Sequence, residues 1–328
     1  MERKILMTFG FPDTNSPRYR NLVKTYESEG WNIQECHTTK KGFLRKNYDL
    51  YQQYKNLSAL SSQLSALLVN FPGYYLMPLA WWLTRRPRKM LIFDAFISIS
   101  DTLVSDRKKV SWLHPIAWLY YLADVISCHL ADEVLIDTQA HKQFFMKQFF
   151  LKDDRVRVLY VGTRDDLFFP GKSEHLLADN KYNILFIGSY IPLQGIEYIL
   201  GAADKLREKN DMHFTLIGGG QTYTQMTERA KKLDLQNVTF LPFQPIEQLP
   251  RYLRSCDVAL GIFGTSDKAD RVIPHKVYDA VACGVPVITA RNRAIEEKFR
   301  DGKEVFLCKT GDADSLAQTI LNVRKRTR

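Results

Sequence analysis

Short apolar segments alternate with longer segments of helical period, and this alternation constrains the fold more than any other feature of the chain. In the first half, the predicted strands are 4–9, 31–36, 66–71, 90–93, 133–137 and 156–160, and helical periodicity is clear at 17–29, 112–129 and 139–150. Strands that alternate with helices favour a parallel sheet covered on both faces. The strands are almost continuously apolar, as expected when both faces of a sheet are buried.

The same pattern starts again in the second half. The predicted strands there are 182–187, 213–217, 238–241, 258–260 and 285–288, and the predicted helices are 195–208, 221–233, 246–254, 274–283 and 312–325. Between the two series, residues 161–180 are rich in glycine, proline and charge, which is typical of a linker. We therefore predict two tandem Rossmann-like α/β domains, 1–170 and 171–328, facing an interdomain cleft that holds the ligands.

The composition indicates a folded protein with an anionic partner. The 328 residues are 45% hydrophobic and 25% charged, and the formal net charge is +10. Nucleic acid, a phosphorylated small molecule and an anionic membrane surface all fit this charge. The basic residues are shared between the two halves rather than concentrated in an arginine-rich arm, which disfavours a nucleic-acid partner.

The cysteines and the N-terminus point to the cytoplasm. The five cysteines are far apart, and no C-x-x-C pair occurs, so we predict no metal site. The first residues lack the apolar core and cleavage site of a signal peptide. The uncharged stretch 66–83 is interrupted by Asn70, Pro72, Gly73 and Pro78, so a strand, a turn and a short helix are expected there instead of a membrane span.

Two strand-to-helix turns in the second half are rich in glycine. Gly188 ends one strand and Gly195 opens the next helix, while residues 218–220 are three consecutive glycines before another helix. Such turns let a phosphate or a nucleotide edge approach the backbone N–H groups of a helix N-terminus. A tight turn without a ligand is the alternative. Neither G-x-G-x-x-G nor a P-loop is present, so no motif supports dinucleotide redox or ATP-driven chemistry.

The segment 261–290 holds the densest group of candidate ligand-binding residues. It contains Gly264, Thr265, Ser266, Lys268, Arg271, His275, Lys276 and Asp279. Pro274 stands where a helix would begin, and Asp279 lies one helical turn beyond His275 on the same face. The cations suit a diphosphate, and the carboxylate suits the diol of a ribose. A solvated basic loop on an ordinary helix is the alternative.

These residues resemble retaining glycosyltransferases of family 4, the group 1 glycosyltransferases, which have the GT-B fold. The resemblance is carried by GSYIPLQGIEYIL, LIGGG, NVTFLPFQPIEQLPRYLRSCDVAL and, above all, IPHKVYDAVACGVPVI, and more loosely by first-half segments such as LIFDAFIS and RVLYVGTRDDLFFP. It implies transfer of a hexose from a nucleotide-diphosphate sugar, of UDP or GDP, with retained configuration and without a metal or other cofactor. The second domain would bind the donor, and the first would bind a glycan or lipid-linked acceptor in surface polysaccharide or glycoconjugate synthesis.

The resemblance also assigns donor-site residues, with two departures. Asp279 matches the second acidic residue of the family's E-x7-E motif, but the first falls on Arg271. The family's usual Arg and Lys in the preceding loop fall on Ser189 and Gln194. We therefore expect the phosphates to be met by Lys276, Arg271, Lys268, Thr265 and His275, bordered by Gly188, Gln194 and Gly195, with Gly219 and Phe243 beside the base. Lys276 and Arg271 are the predicted catalytic cations.

Acceptor-site candidates come from strand ends of the first half. Asp94 is expected at the end of a strand, as the base for the acceptor hydroxyl or, alternatively, as a cap or a partner of an arginine. Gly10, Arg18 and Ser98 are the predicted acceptor-binding residues, although Arg18 fits a solvated role equally well.

Aromatic and basic residues of the first half suggest a membrane surface. The aromatic residues include Trp81, Trp82, Trp112 and Trp118, and the basic runs are 85–89 and 107–109. This combination suits peripheral docking on the cytoplasmic membrane face. Aromatic core residues are the alternative. For the whole chain, a nucleotide-sugar epimerase and a non-catalytic partner subunit of a glycosyltransferase also remain open.

Overall fold

The computed structural model describes residues 4–60 and 64–327, and the chain divides into two compact units. Unit 1 is Met1–Val161 and unit 2 is Gly162–Arg328. The division falls between residues 161 and 162, earlier than the predicted boundary between 170 and 171. The glycine- and proline-rich segment after Val161 therefore belongs, by its contacts, to unit 2.

Unit 1 is a six-stranded parallel sheet with helices between the strands. The strands are β1 (Ile5–Gly10), β2 (Asn32–His37), β3 (Leu64–Val69), β4 (Met90–Phe96), β5 (Glu133–Ile136) and β6 (Val156–Val158). The helices are α1 (Pro17–Ser28), α2 (Phe43–Leu60), α3 (Met77–Leu83), α4 (Pro115–Leu130) and α5 (Gln139–Phe149). The strand order is β2-β1-β3-β4-β5-β6, so the direction of winding reverses between β1 and β3.

Unit 2 repeats this arrangement. The strands are β7 (Tyr182–Ser189), β8 (Met212–Gly219), β9 (Val238–Leu241), β10 (Val258–Leu260), β11 (Val287–Ala290) and β12 (Val305–Cys308). The helices are α6 (Ile196–Lys205), α7 (Tyr223–Lys232), α8 (Leu249–Ser255), α9 (His275–Ala282), α10 (Arg293–Lys298) and α11 (Ala313–Thr327). The order is β12-β11-β10-β7-β8-β9, so winding reverses between β7 and β10.

Both sheets are buried on their two faces, which explains the continuous apolar strands. In unit 1, Phe9 and Phe93 pack into the core on one face, while Leu6 and Ile92 pack into the core on the other. In unit 2, Phe186 and Phe214 belong to the larger core under α6, α7 and α11. Ligand sites in such sheets lie where the winding reverses, at the carboxyl ends of the strands.

The structure contains elements that the sequence analysis did not predict, and it places one residue, Asp94, differently from the prediction. Helices α2 and α10 and strand β12 were not predicted. Strand β4 continues to Phe96, so Asp94 lies inside the strand and not at its end as expected. The stretch 66–83 forms the end of β3, a turn and α3, as predicted. Within the described residues, no helix is both long and apolar enough to cross a membrane.

Candidate donor site at the carboxyl edge of the unit 2 sheet

The loops that follow β7 and β10 touch backbone to backbone where the winding reverses. Gly195 caps α6 with a φ of +66°, a left-handed conformation that favours glycine. A Cβ at this position would lie 2.5 Å from the backbone nitrogen of Gly264, so neither backbone could keep its place. The two glycines therefore let the loops close against each other and leave their backbone groups along the edge of the sheet.

Lys276 reaches into this edge from the first turn of α9. Its Nζ donates a hydrogen bond to Oε1 of Gln194 at 2.6 Å and lies 3.6 Å from the ring centroid of Phe186. A Cβ at position 188 would lie 2.5 Å from the same Nζ, so only glycine leaves room for the ammonium group there. The structure thus brings together three residues that the sequence analysis assigned to the phosphates, namely Gly188, Gln194 and Lys276.

The ammonium group of Lys276 is held without a countercharge. Among the described residues, no carboxylate forms an ion pair with it, and its polar partner is the neutral amide of Gln194. Burial lowers the pKa of Lys276 well below its usual range. An anion placed beside this side chain would restore its charged form. A phosphate would therefore bind here with a favourable electrostatic free energy that a lysine already in an ion pair would not provide.

Asp279 lies one turn further along α9. Its Oδ1 accepts a hydrogen bond from the Thr163 hydroxyl at 2.5 Å. Asp279 and Lys276 line one small cavity, whose other walls are mostly apolar and include Phe168 and Leu260. Burial raises the pKa of Asp279 to about 7, against the opposing effect of the Thr163 bond. Thr163 was missed by the sequence analysis because no spacing links it to a carboxylate so far along the chain.

The predicted base-side residues also lie together. Strands β7 and β8 pair with Ser189 opposite Gly219, which places Gly219 on the strand next to Gly188. A Cβ on Gly219 would lie 3.4 Å from Cε2 of Phe243, so the ring covers this glycine. The Phe243 side chain is 63% exposed, so it is not the core residue that an aromatic after a strand usually is.

The remaining donor-site candidates are arranged differently from the prediction. Lys268 and Arg271 are buried at a short turn, 7% and 6% exposed, and both interact with other groups of the protein. They are therefore not the open cationic loop that the sequence suggested. Thr265 is exposed and lines a separate hollow of about 270 Å³ with Ser266 and Asp267. His275 is the first residue of α9 and is half-buried.

In unit 1, Asp94 and Arg18 form a buried ion pair. Nε and Nη2 of Arg18 donate to Oδ1 of Asp94 at 3.1 and 2.6 Å, and Arg18 also donates to the backbone carbonyl of Leu159. Both side chains are 4% exposed. Arg18 is therefore not a solvated arginine, and Asp94 takes the alternative that was left open, as the partner of an arginine. An acceptor role for either residue stays a prediction.

Ser98 is fully buried rather than open to an acceptor. Its hydroxyl donates to Oδ2 of Asp124 at 2.7 Å, and the Ser100 hydroxyl donates to the same oxygen at 2.7 Å. The backbone N–H of Ile99 donates to the other oxygen of Asp124. This network ties the loop after β4 to α4, so the geometry gives Ser98 a structural role. Gly10 ends β1 with a φ of +139°, close to the backbone of Asn70.

A polar network at the ends of β1 and β2 was not predicted. The His37 ring contacts the Thr8 hydroxyl at 3.0 Å, and the Tyr19 hydroxyl donates to Glu35 at 2.7 Å. Burial lowers the pKa of His37, so the imidazole is neutral near pH 7. These residues were missed because Thr8, Tyr19 and His37 lie on different elements and come together only in the tertiary fold. Within the described residues, no cluster of His, Cys, Asp or Glu could hold a metal ion.

Comparison with known proteins shows which family the second half of the chain matches. Residues 171–326 match the family of glycosyl transferases group 1. The chain carries a group 1 glycosyltransferase domain. Its similarity to WcaI of Escherichia coli, described as a colanic acid biosynthesis glycosyl transferase, is 35% identity over 40% of this chain and 36% of that protein. With the chitobiosyldiphosphodolichol beta-mannosyltransferase of Kluyveromyces lactis, it shares 25% identity over 73% of this chain and 61% of that protein.

The glycosyltransferase domain and unit 1 together have the GT-B fold. The structure of the Anabaena protein HepE in complex with UDP and glucose aligns with 99% of this chain and 91% of that chain, with a TM-score of 0.69 and 16% identity. The predicted fold class is thereby confirmed. The chain spans between about a third and three fifths of the length of the two curated relatives named above.

Proposed function

We propose that this protein transfers a hexose from a nucleotide-diphosphate sugar to an acceptor, with retention of the anomeric configuration and without a metal. The observation that carries this proposal is the uncompensated Lys276 ammonium beside Gln194 and Gly188, at the edge of a group 1 glycosyltransferase domain. A lysine that faces a glycine and has no carboxylate partner among the described residues can take up its charged form beside a diphosphate.

Lys276 and the N-terminus of α9 would stabilise the departing diphosphate. Negative charge on the diphosphate grows as the sugar–phosphate bond breaks, so positive groups already in place lower the barrier. The side chain of Lys276 supplies one such group. Pro274, which precedes α9, provides no side-chain cap, and the partial positive charge of a helix N-terminus would favour an anion there. These groups would do what a divalent cation does in metal-dependent transferases.

Asp279 and Phe243 would hold the nucleoside. An ionised carboxylate at Asp279 can accept hydrogen bonds from the ribose diol, and its Thr163 bond occupies Oδ1. The exposed Phe243 ring beside Gly219 offers a flat apolar surface for the base. The HepE structure contains UDP, which supports UDP as the nucleotide, with GDP as the second candidate.

The acceptor would be a glycan or a lipid-linked sugar, bound by unit 1 at the cytoplasmic membrane face. One relative is named for a dolichol-linked diphosphate and another for colanic acid biosynthesis, which supports a role in polysaccharide or glycoconjugate synthesis. The neutral His37 and its neighbours are the polar groups that the unit 1 edge offers to an acceptor hydroxyl.

One departure from the family pattern supports a second candidate function. Arg271 replaces the first acidic residue of the motif and is buried, so the chain could act as a non-catalytic partner of a transferase. Turnover by the isolated chain excludes this candidate. An epimerase would convert the donor without any acceptor, so product analysis separates it from a transferase.

Titration calorimetry of the whole chain with UDP, GDP and their hexose derivatives tests the proposal. We expect Lys276→Ala to weaken nucleotide binding roughly 10- to 100-fold, the effect of losing one charge-assisted contact. Lys232→Ala, which removes an exposed lysine in the last turn of α7, is the matched control and should change nothing. Equal affinities for the two variants would refute the site, and an inverted anomeric product in NMR would refute retention.

A further inference from the structure

We infer that the outward face of α4 rests on an anionic lipid surface. This inference deepens the membrane-side location in the proposed function by naming the surface of the protein and the chemistry of its partner. The face consists of Trp118, Leu119, Leu122 and Ile126, which we call the α4 face.

The α4 face is apolar along its length. Its four side chains are between 43% and 63% exposed, and their spacing places them on one side of a helix. The ionisable side chains of α4 are Asp124, which is buried, and His129 near its C-terminus. A helix on the surface of a soluble protein normally turns charged residues toward water, so this face is suited to a partner that is itself apolar.

The orientation of α4 is fixed by its inner side. Asp124 accepts hydrogen bonds from the loop after β4, and the Ser127 hydroxyl donates to the carbonyl of Tyr74 at 3.1 Å. Ala117 and Cys128 are fully buried on the same inner side. Rotating the helix to bury the apolar face would break these contacts. The α4 face is therefore held outward by the fold.

The segment before α4 adds aromatic and basic groups to the surface. The Trp112 ring packs edge-on against Trp118, with centroids 6.1 Å apart, and Leu113 is 94% exposed. Lys108 and Lys109 are exposed just before this tryptophan. Tryptophan rings beside aliphatic side chains, flanked by lysines, match the interfacial region of a bilayer with anionic headgroups.

Charge favours lipid over a second copy of this chain. Two copies, each with a formal net charge of +10, repel one another. An anionic bilayer attracts the same lysines while it covers the apolar side chains. The observations therefore commit to a lipid surface as the occupant.

Flotation of the full chain with lipid vesicles tests the inference. At low salt, we expect co-flotation with vesicles of phosphatidylcholine and phosphatidylglycerol, and much less with phosphatidylcholine alone. Replacing both leucines, Leu119→Ser with Leu122→Ser, should weaken vesicle binding roughly 10- to 100-fold, because the buried apolar area is lost. The control is Leu44→Ser with Tyr48→Ser, an even more exposed apolar pair on α2, which should float like the wild type.

The charge contribution is measured separately. Lys108→Gln with Lys109→Gln should weaken binding to the anionic vesicles about 30-fold, because each lysine near such a surface contributes about 1 kcal/mol. Added salt should reduce the difference between the wild type and this variant.

Three outcomes would overturn the inference. They are absence of flotation at low salt, an equal loss in the α2 control, and a stable dimer in analytical ultracentrifugation that the leucine pair disrupts. Nucleotide binding, measured on the same variants, keeps this inference apart from the proposed function. Nucleotide binding without flotation rejects the α4 face alone, and flotation without nucleotide binding rejects the donor site alone.

Discussion

The two sheets share one winding pattern, but the charged side chains at their carboxyl edges are paired differently. At the unit 2 edge, glycines let the loops and the Lys276 side chain approach closely, and Lys276 has no countercharge among the described residues. At the unit 1 edge, Arg18 and Asp94 neutralise each other and are both 4% exposed. Under the proposed function the first edge would receive an anion, while the charges of Arg18 and Asp94 at the second are already paired with each other.

This difference separates charges that serve folding from charges that serve binding. A lysine without a countercharge takes up its charged form at a cost in free energy, so such a residue at a strand edge is a candidate for binding an anionic ligand. A buried ion pair with several hydrogen bonds needs no ligand. The presence of a charged residue near a strand end therefore says little about function by itself. What matters is whether an oppositely charged side chain already pairs with it.

The largest expected effect breaks the unit 1 ion pair. Asp94→Ala leaves the Arg18 guanidinium buried and unpaired, which should lower the free energy of unfolding by about 3–5 kcal/mol. All five tryptophans lie in unit 1, so tryptophan fluorescence during urea unfolding reports on that unit. The double replacement Arg18→Met with Asp94→Leu should cost less. A small loss for Asp94→Ala, with transfer activity abolished, would instead favour the acceptor role predicted for Asp94.

The next largest effect is expected from Gly188→Ala, which adds a methyl group at the unit 2 edge and leaves the core unchanged. In Gly188→Ala, the new methyl group would lie 2.5 Å from Nζ of Lys276, at the end of a flexible side chain that can move away. Stability should therefore change little, while nucleotide affinity should fall about tenfold as the ammonium group is displaced. Gly30→Ala in unit 1, at a position with a φ of +86°, should strain the backbone but leave nucleotide affinity unchanged, so it is a control for affinity alone. Unchanged nucleotide affinity in Gly188→Ala would show that Lys276 does not contact the ligand.

A smaller effect distinguishes the contribution of the base to nucleotide binding from that of the phosphates. Phe243→Ala should weaken binding of the preferred nucleoside diphosphate about 5- to 10-fold, because an aromatic face contributes about 1 kcal/mol to stacking. Binding of inorganic pyrophosphate should be unaffected, since pyrophosphate has no base to stack on the ring. Phe169→Ala removes another exposed ring and serves as the control. If both ligands lose affinity equally, Phe243 acts on the loop and not on the base.

Most of the fold could be predicted because strands that are buried on both faces appear in the sequence as continuous apolar segments. Continuous apolar segments located eleven of the twelve strands, within a few residues. The missed helix α2 carries tyrosines and amides between its leucines, and such residues do not mark a helix as clearly as a run of aliphatic positions does. Strand β12 pairs at the edge of its sheet and carries half-buried positions, which weakens the same signal.

The site could be predicted only in part, because partners distant in sequence decide what a side chain does. Gly188 lies near the end of β7, Gln194 in the following turn and Lys276 in the first turn of α9. The topology of such a sheet brings these positions near one another. Ser98 looked equally accessible in the sequence, but Asp124 of α4 takes its hydroxyl. The Thr163 hydroxyl reaches Asp279 through the tertiary fold, and no local pattern could reveal that bond.

The smallest effect concerns how Thr163 sets the ionisation of Asp279. The pKa of Asp279 is about 7, so nucleotide affinity should rise as pH increases through 7 and the carboxylate forms. Thr163→Val removes a hydrogen bond that favours the carboxylate, so the pKa should rise further and affinity at pH 7 should fall about fivefold. Thr163→Ser should keep the wild-type profile, and Asp279→Asn should abolish this pH dependence. Calorimetric titration between pH 6 and pH 9, at about half-unit steps, measures the shift. Parallel profiles for Thr163→Val and the wild type would mean that the ribose is held elsewhere.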